Sequence, residues 1–193
     1  MTALTAAAPI SGWSIGVHPL GRGYLRAENV SLGETLVLSL SVDAHDGAEI
    51  ASAARHGHGV FEARMRTPHA PGSLSAFFLY EGVEGGNDEI DIEIHNDGSR
   101  RILFTTWAAG VQTNAVTATL AFDPADGFHD YRIEWRPRLA RFSVDGQVLQ
   151  EFRHGIPPND MFVMANAWWP AWLSGPLLAS ARLLEIEHVH AGG

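Results

Sequence analysis

The stretch Gly85-Gly-Asn-Asp-Glu-Ile-Asp-Ile-Glu-Ile-His-Asn-Asp97, "GGNDEIDIEIHND", sets carboxylates and isoleucines in alternation. Side chains at i, i+2 and i+4 of a β-strand share one face. Glu89, Asp91 and Glu93 therefore point one way, and Ile90, Ile92 and Ile94 the other. The isoleucines suit the packed interior of a sandwich, and the carboxylates then lie on an outer or cleft-lining face. Asn96-Asp97-Gly98 follows as a turn.

The same two-residue period runs outward in both directions. Thr35 to Val42, Gly59 to Arg66, Leu74 to Glu81, Asp88 to His95, Arg100 to Trp107 and Ala115 to Phe122 read as strands. So do His129 to Arg136, Ala140 to Val144, Gln147 to Phe152, Met161 to Trp168 and Ser180 to His190. Asp145-Gly146 is a two-residue hairpin loop, and "DPADG" and "GIPPND" are longer turns. No window offers an amphipathic helix of three turns. About a dozen strands at this spacing predict an all-β fold, an antiparallel β-sandwich or barrel. No repeat or linker divides residues 1–193, so one domain is expected.

Composition narrows the function. The chain has 193 residues, 46% of them hydrophobic, enough for a substantial core. No apolar run is long enough for a membrane-spanning helix. The formal net charge is −9 and no basic cluster occurs, so neither nucleic acid nor an anionic membrane surface is an expected partner, whereas a neutral sugar is compatible. With no cysteine, disulfides, thiol catalysis and cysteine-based zinc sites are excluded. The opening "MTALTAAAPISGW" lacks the basic start and long apolar centre of a secretory leader.

Three like charges on adjacent same-face positions cost stability. A solvated acidic face is one explanation. A cation site is another, although three carboxylates on one straight strand converge poorly on a single ion. Glycoside hydrolysis is the third, because it uses two carboxyl groups flanking the scissile bond, roughly 5–5.5 Å apart in retaining enzymes. The Cα atoms of Glu89 and Glu93 are expected roughly 13 Å apart, a gap that two glutamates leaning over the shorter Asp91 narrow. Crowding also raises the pKa of one group, keeping it protonated as a general acid.

"DEIDIEI" resembles the E-x-D-x-E signature of family 16 glycoside hydrolases. "HPLGRGYLRAENV" (His18 to Val30), "GHGVFEARMR" (Gly57 to Arg66), "SAFFLYEG" (Ser75 to Gly82), "DGFHDYRIEW" (Asp126 to Trp135) and "FSVDG" (Phe142 to Gly146) resemble, in the same order, bacterial lichenases of that family. The resemblance implies a concanavalin A-like jelly-roll with a concave substrate cleft and a retaining endo-acting β-glucanase. It implies Glu89 as nucleophile, Glu93 as general acid/base and Asp91 as the assisting residue between them. The spacing matches the unbulged strand of lichenases and xyloglucan-active enzymes. Glu62 with Arg64, Phe78 with Tyr80, Asn166 with Trp168, and Trp107 are the expected substrate-binding residues. Trp172 is a further subsite candidate, and Trp169 is expected beneath its loop.

Catalysis by this route requires no cofactor. The family's convex-side calcium is a further expectation, with Glu187 as its acidic ligand. Same-face histidines, His56 with His58 and His188 with His190, lack an identifiable third ligand and are read as structural. His95 continues the face of Glu93. The expected partner is a polysaccharide or oligosaccharide, mixed-linkage β-1,3-1,4-glucan first, met by a monomer outside the cell or in the periplasm. A transglycosylase acting on β-glucan or xyloglucan, and a non-catalytic carbohydrate-binding jelly-roll, are the rival functions. Two departures touch the sugar platform rather than the carboxylates: Asn87 stands where bacterial lichenases carry Trp, and "TTW" (Thr105 to Trp107) stands at their Asn-Tyr-Tyr-like patch.

Overall fold

The computed structural model describes residues 12–192; the opening stretch, read as lacking the features of a leader, falls largely outside them. Sixteen strands follow one another: β1 (Trp13–Ile15), β2 (Pro19–Leu20), β3 (Gly23–Tyr24), β4 (Val30–Leu32), β5 (Leu36–Leu40), β6 (Ala48–His56), β7 (Gly59–Arg66) and β8 (Leu74–Val83). Then come β9 (Gly86–His95), β10 (Arg101–Ala108), β11 (Val111–Thr119), β12 (His129–Arg136), β13 (Leu139–Val144), β14 (Gln147–Phe152), β15 (Met161–Trp168) and β16 (Arg182–Gly192). A 3-10 turn at Ala27–Asn29 is the only helix among the described residues.

Two seven-stranded antiparallel sheets form, in the orders β1-β6-β15-β8-β9-β10-β11 and β14-β13-β12-β7-β16-β5-β4. Of the sandwich or barrel that the alternation allows, this is the sandwich, in the jelly-roll form that the resemblance implies. Ile90, Ile92 and Ile94 of β9 are fully buried, and Phe77 and Leu79 of β8 and Ile102 and Phe104 of β10 join them in the same core. The second sheet contributes Phe61, Met65, Tyr131, Ile133, Trp135 and Phe142. The Asp145-Gly146 loop has φ of 49° and 76°, the paired left-handed geometry of a tight hairpin.

Most predicted strands recur within one or two residues. β6 was not anticipated: "AEIASAARH" is rich in alanine and lacks regular alternation, yet it pairs with both β1 and β15.

Chain order alternates between sheets here: β6 lies in the first sheet, β7 in the second, and β8 returns to the first. That crossover corrects one expectation. Glu62 and Arg64 sit on β7 and so belong to the second sheet, not to the cleft that Phe78 and Tyr80 line. Their side chains join an ion-pair ladder on its outer face. Arg64 reaches Asp130 at 3.2 Å and Glu187 at 2.7 Å, Arg66 reaches Glu185 at 2.5 Å, and Arg132 approaches Glu62 at 3.8 Å.

Partly exposed ion pairs contribute little, and buried aliphatic side chains contribute much. Arg64→Ala is therefore expected to change stability by less than about 1 kcal/mol. Ile92→Ala is expected to cost about 2–5 kcal/mol. Urea unfolding of both variants measures the contrast, and equal midpoints would contradict this placement of the two residues.

Candidate active site

β9 is the fifth of the seven strands in its sheet, and the register of its neighbours builds the site. Tyr80 and Trp107 flank Glu89, Phe78 and Thr105 flank Asp91, and Ala76 and Leu103 flank Glu93. Directly opposed residues share a face. Across β8, Asn166 of β15 faces Ala76 and, on its other side, Glu49 of β6. Residues far apart in sequence thus form one outward-facing array.

The array lines a cleft with two halves that meet at Glu89, Asp91, Glu93 and Trp168. One half, ≈ 350 Å³, has walls of Phe78, Tyr80 and Met164 and ends at His18, Glu49 and Asn166. The other, ≈ 520 Å³, is bounded by Asn87, Thr105, Trp107, Gln112 and Trp172. Aromatic walls with a few polar groups suit the apolar faces and hydroxyl rim of a sugar.

The expected site residues thus separate cleanly. Phe78, Tyr80, Trp107, Asn166 and Trp168 come together around the three carboxylates, and Glu62 and Arg64 do not. Trp172 is 58% exposed and lines the larger half, whereas Trp169 is fully buried. His95 follows Glu93 along β9 but is buried with Nδ1 unpartnered, and Trp172 meets it edge-on at 6.0 Å.

His18 and Glu49 were not singled out as cleft residues by sequence, and Asn87 was marked only as the place of a missing platform aromatic. Glu49 is buried, accepts from Asn166 Nδ2 at 3.1 Å and meets His18 Nε2 at 3.1 Å. A lone glutamate between apolar residues in "GAEIAS" is the one local signal that could have marked it.

Electrostatics divide the carboxylates. Burial pushes Asp91 well above the ordinary aspartate range, and the charges of Glu89 and Glu93 push it further. Thr105 Oγ1 donates to Asp91 Oδ2 and partly offsets this. Burial also raises Glu89, and hydrogen bonds from Asp91 and Asn87 offset part of that rise. Glu93 is raised to about 7 by burial and then by the charge of Glu89, with a hydrogen bond from Trp168 opposing. The result is a protonated Asp91 donating to Glu89, beside a Glu93 that still holds its proton near neutrality.

Glu187, the expected calcium ligand, lies on the outer face of the second sheet. Around Glu187, Arg64 Nε donates to Oε2 at 2.7 Å, and the adjacent hollow is lined by Trp13, Leu36 and Ile186 among others. A hard cation takes six to eight oxygens, and Glu34 and Glu187 are the carboxylates that line this hollow. Elsewhere among the described residues, Glu62, Asp130 and His188 bring ligand atoms within 4.8 Å of one another. Arg64 already holds Asp130 there, and Arg132 lies near Glu62.

A sandwich with a proton-bearing carboxyl and an ionised one facing an aromatic cleft has the form of a glycosidase. The family model for glycosyl hydrolases family 16 matches residues 24–174, and the chain belongs to that family. It is 32% identical over 177 residues to the β-glucanase of Bacillus subtilis (strain 168), covering 83% of this chain and 73% of that one. The structure of the Bacillus licheniformis β-glucanase matches with TM-score 0.85 and 26% identity over 95% of this chain and 92% of that one. A prokaryotic β-1,3-1,4-glucanase (lichenase) derived from a mouse hindgut metagenome matches with TM-score 0.84 and 25% identity, covering 95% and 94%.

The site's protonation has a cost in stability. Glu93 rises from an ordinary 4.5 to about 7 on folding, so between those values the folded chain holds a proton that the unfolded chain releases. The resulting stability is fully present below about 4.5 and is lost as pH rises through about 7. Glu93→Gln removes the buried charge. It is expected to be more stable than the wild type by about 2–3 kcal/mol at high pH, with the gain vanishing below pH 4.5. Urea unfolding on either side of this window checks the sign.

Proposed function

We propose that this chain cleaves mixed-linkage β-1,3-1,4-glucan within the polymer, by double displacement with retention of anomeric configuration. It is an endo-acting β-glucan hydrolase, as its family and its β-glucanase relatives indicate. The observation that carries the mechanism is the split of the carboxylates on β9. Glu93 keeps a proton near neutrality, while Asp91 and Asn87 favour an ionised Glu89.

In the first step the Glu93 carboxyl gives its proton to the glycosidic oxygen. A carboxylate oxygen of Glu89 attacks the anomeric carbon, the bond to the departing sugar breaks, and a glycosyl ester on Glu89 forms. Asp91 holds its own proton toward Glu89 and so keeps a second charge out of the cluster. In the second step the Glu93 carboxylate takes a proton from water. The water oxygen attacks the anomeric carbon from the opposite face, and the ester bond breaks. Glu89 leaves as a carboxylate and Glu93 regains its proton. Both steps use only carboxylates and water.

The cleft is formed within one chain, which supports action as a monomer. A polymeric substrate supports action outside the cell or in the periplasm. No helix among the described residues is long and apolar enough to cross a membrane.

Incubation with barley β-glucan, lichenan, laminarin, xyloglucan and agarose, followed by product analysis, tests the substrate. Barley β-glucan and lichenan are expected to yield oligosaccharides, with the β-anomer appearing first by NMR. An α-anomer first, or cleavage confined to another polymer, would overturn the corresponding part. Glu89→Gln is expected to lose at least about 10³-fold in kcat with the fold retained, and near-wild-type turnover would refute its role as nucleophile. Because Glu93 must be protonated in the first step, kcat/KM is expected to fall as pH rises above about 7.

A further inference from the structure

Asn87 is assigned no part by the family resemblance, yet it touches Glu89 directly. It lies two residues earlier on β9, on the same face, and its Nδ2 donates to Glu89 Oε2 at 2.5 Å. It also lines the larger half of the cleft, beside Trp107.

The backbone that carries this amide is held unusually firmly. The Asn87 carbonyl accepts from Gly110 N at 2.8 Å. Asp88, the next residue, is 1% exposed and points to the other side of the strand. Its carboxylate accepts from Ala109 N at 2.9 Å, from Asn159 Nδ2 at 2.8 Å and from Asn159 N at 3.4 Å. Here the fourth acidic residue of the motif finds its use: it ties the β10–β11 turn and the segment before β15 to the start of β9. Gly86 and Gly110 permit the approach, since a Cβ on Gly86 would lie 2.3 Å from Gly110 Cα. A buried carboxylate left without such donors costs stability, so the clamp is hard to open.

The other titratable groups around Glu89 come from several elements. Asp91 and Glu93 stand beside it on β9, Tyr80 on β8 and Glu49 on β6, with His18 at the far end of the cleft. β10 and β15 present uncharged side chains, Thr105, Trp107, Met164 and Trp168. We propose that Asn87 is a positioning residue for the nucleophile: its amide fixes the rotation of the Glu89 carboxylate and stabilises the ionised form, in a frame that Asp88 clamps. The proposal rests on reading Glu89 as the nucleophile. The hydrogen bond from Asn87 is one of the two that lower the Glu89 pKa.

The test uses the full chain with Asn87→Ala and the near-isosteric Asn87→Asp. Removing a donor to an ionised group is expected to lower kcat about 10–100-fold for Asn87→Ala, with KM within about two-fold of the wild type. The acid limb of the kcat/KM profile is expected to move to higher pH, and further for Asn87→Asp, which adds a repelling charge. A merely structural residue would leave that limb in place. Carbon-13 NMR titration of the Glu89 carboxyl reads the same effect without turnover, and its midpoint is expected to rise in both variants. An unmoved midpoint in Asn87→Ala would overturn the proposal. Absence of wild-type cleavage on every polymer would instead overturn the functional reading, while the titration would still decide whether Asn87 governs Glu89.

Discussion

Glu89, Asp91 and Glu93 cannot all be ionised in the space β9 allows them. Like charges on alternate positions of one strand, largely withdrawn from water, repel strongly. The structure resolves the conflict by unequal sharing of protons. Asp91 is the most deeply buried of the three and is pushed highest, so it stays neutral and donates to Glu89. Glu93 has only the indole of Trp168 as a donor and is left near neutrality. Glu89 receives donors from two directions and ionises most readily. The same repulsion that would destabilise a surface strand therefore separates an acid from a nucleophile. β9 lies inside its sheet, with β8 and β10 on either side. A one-residue slip would exchange isoleucines for carboxylates in the core, so the hydrophobic face fixes the register of the catalytic face.

The two outer faces of the sandwich handle charge in opposite ways. On the second sheet, acids and arginines interleave: Arg141 meets Glu134 at 2.8 Å and Glu151 at 2.6 Å, and Arg153 meets Glu151 at 2.7 Å. Those carboxylates are neutralised pairwise and have nothing to activate. Among the described residues no arginine lines the cleft against the three carboxylates, and the donors are an amide, a hydroxyl, an indole and Asp91's own proton. Neutral donors tune a carboxylate without cancelling it, which is what a nucleophile and an acid both require.

This contrast marks the boundary of what was legible in the sequence. Alternation told which residues of each strand face inward, and it located β7, β9, β12, β14 and β15 closely. It could not tell which sheet a strand joins. "FEARMR" and "FFLYE" carry the same period, yet the crossover between them sends Glu62 and Arg64 to the ion-pair ladder and Phe78 and Tyr80 to the cleft. The catalytic carboxylates were legible because one strand carries all three. Glu49 and His18 were not, because their place depends on the pairing of β6 with β15, a contact spanning more than a hundred residues. β6 itself was hidden by alanines whose intrinsic preference is helical, and tertiary pairing overrides that preference.

Asn87 shows how a local departure can matter more than the motif it adjoins. In a strand two residues is the distance to the next side chain on the same face, so whatever occupies position 87 must touch either Glu89 or the sugar over it. An indole there would offer the sugar a broad stacking surface, whereas the short amide of Asn87 donates to the Glu89 carboxylate. Trp107, Trp168 and Trp172 still bound the same half of the cleft, so stacking surface remains beside the amide. The larger half is thus aromatic at Trp107 and Trp168 beside the carboxylates, polar at Asn87 and short-chained at Thr105 and Ala115. If Asn87 positions Glu89 as proposed, the sugar preferred there is one that reaches the tryptophans while leaving the Asn87–Glu89 hydrogen bond intact. A polymer that forced the amide away would bind and yet be cut slowly, because the contact it displaced is one that holds the nucleophile ready.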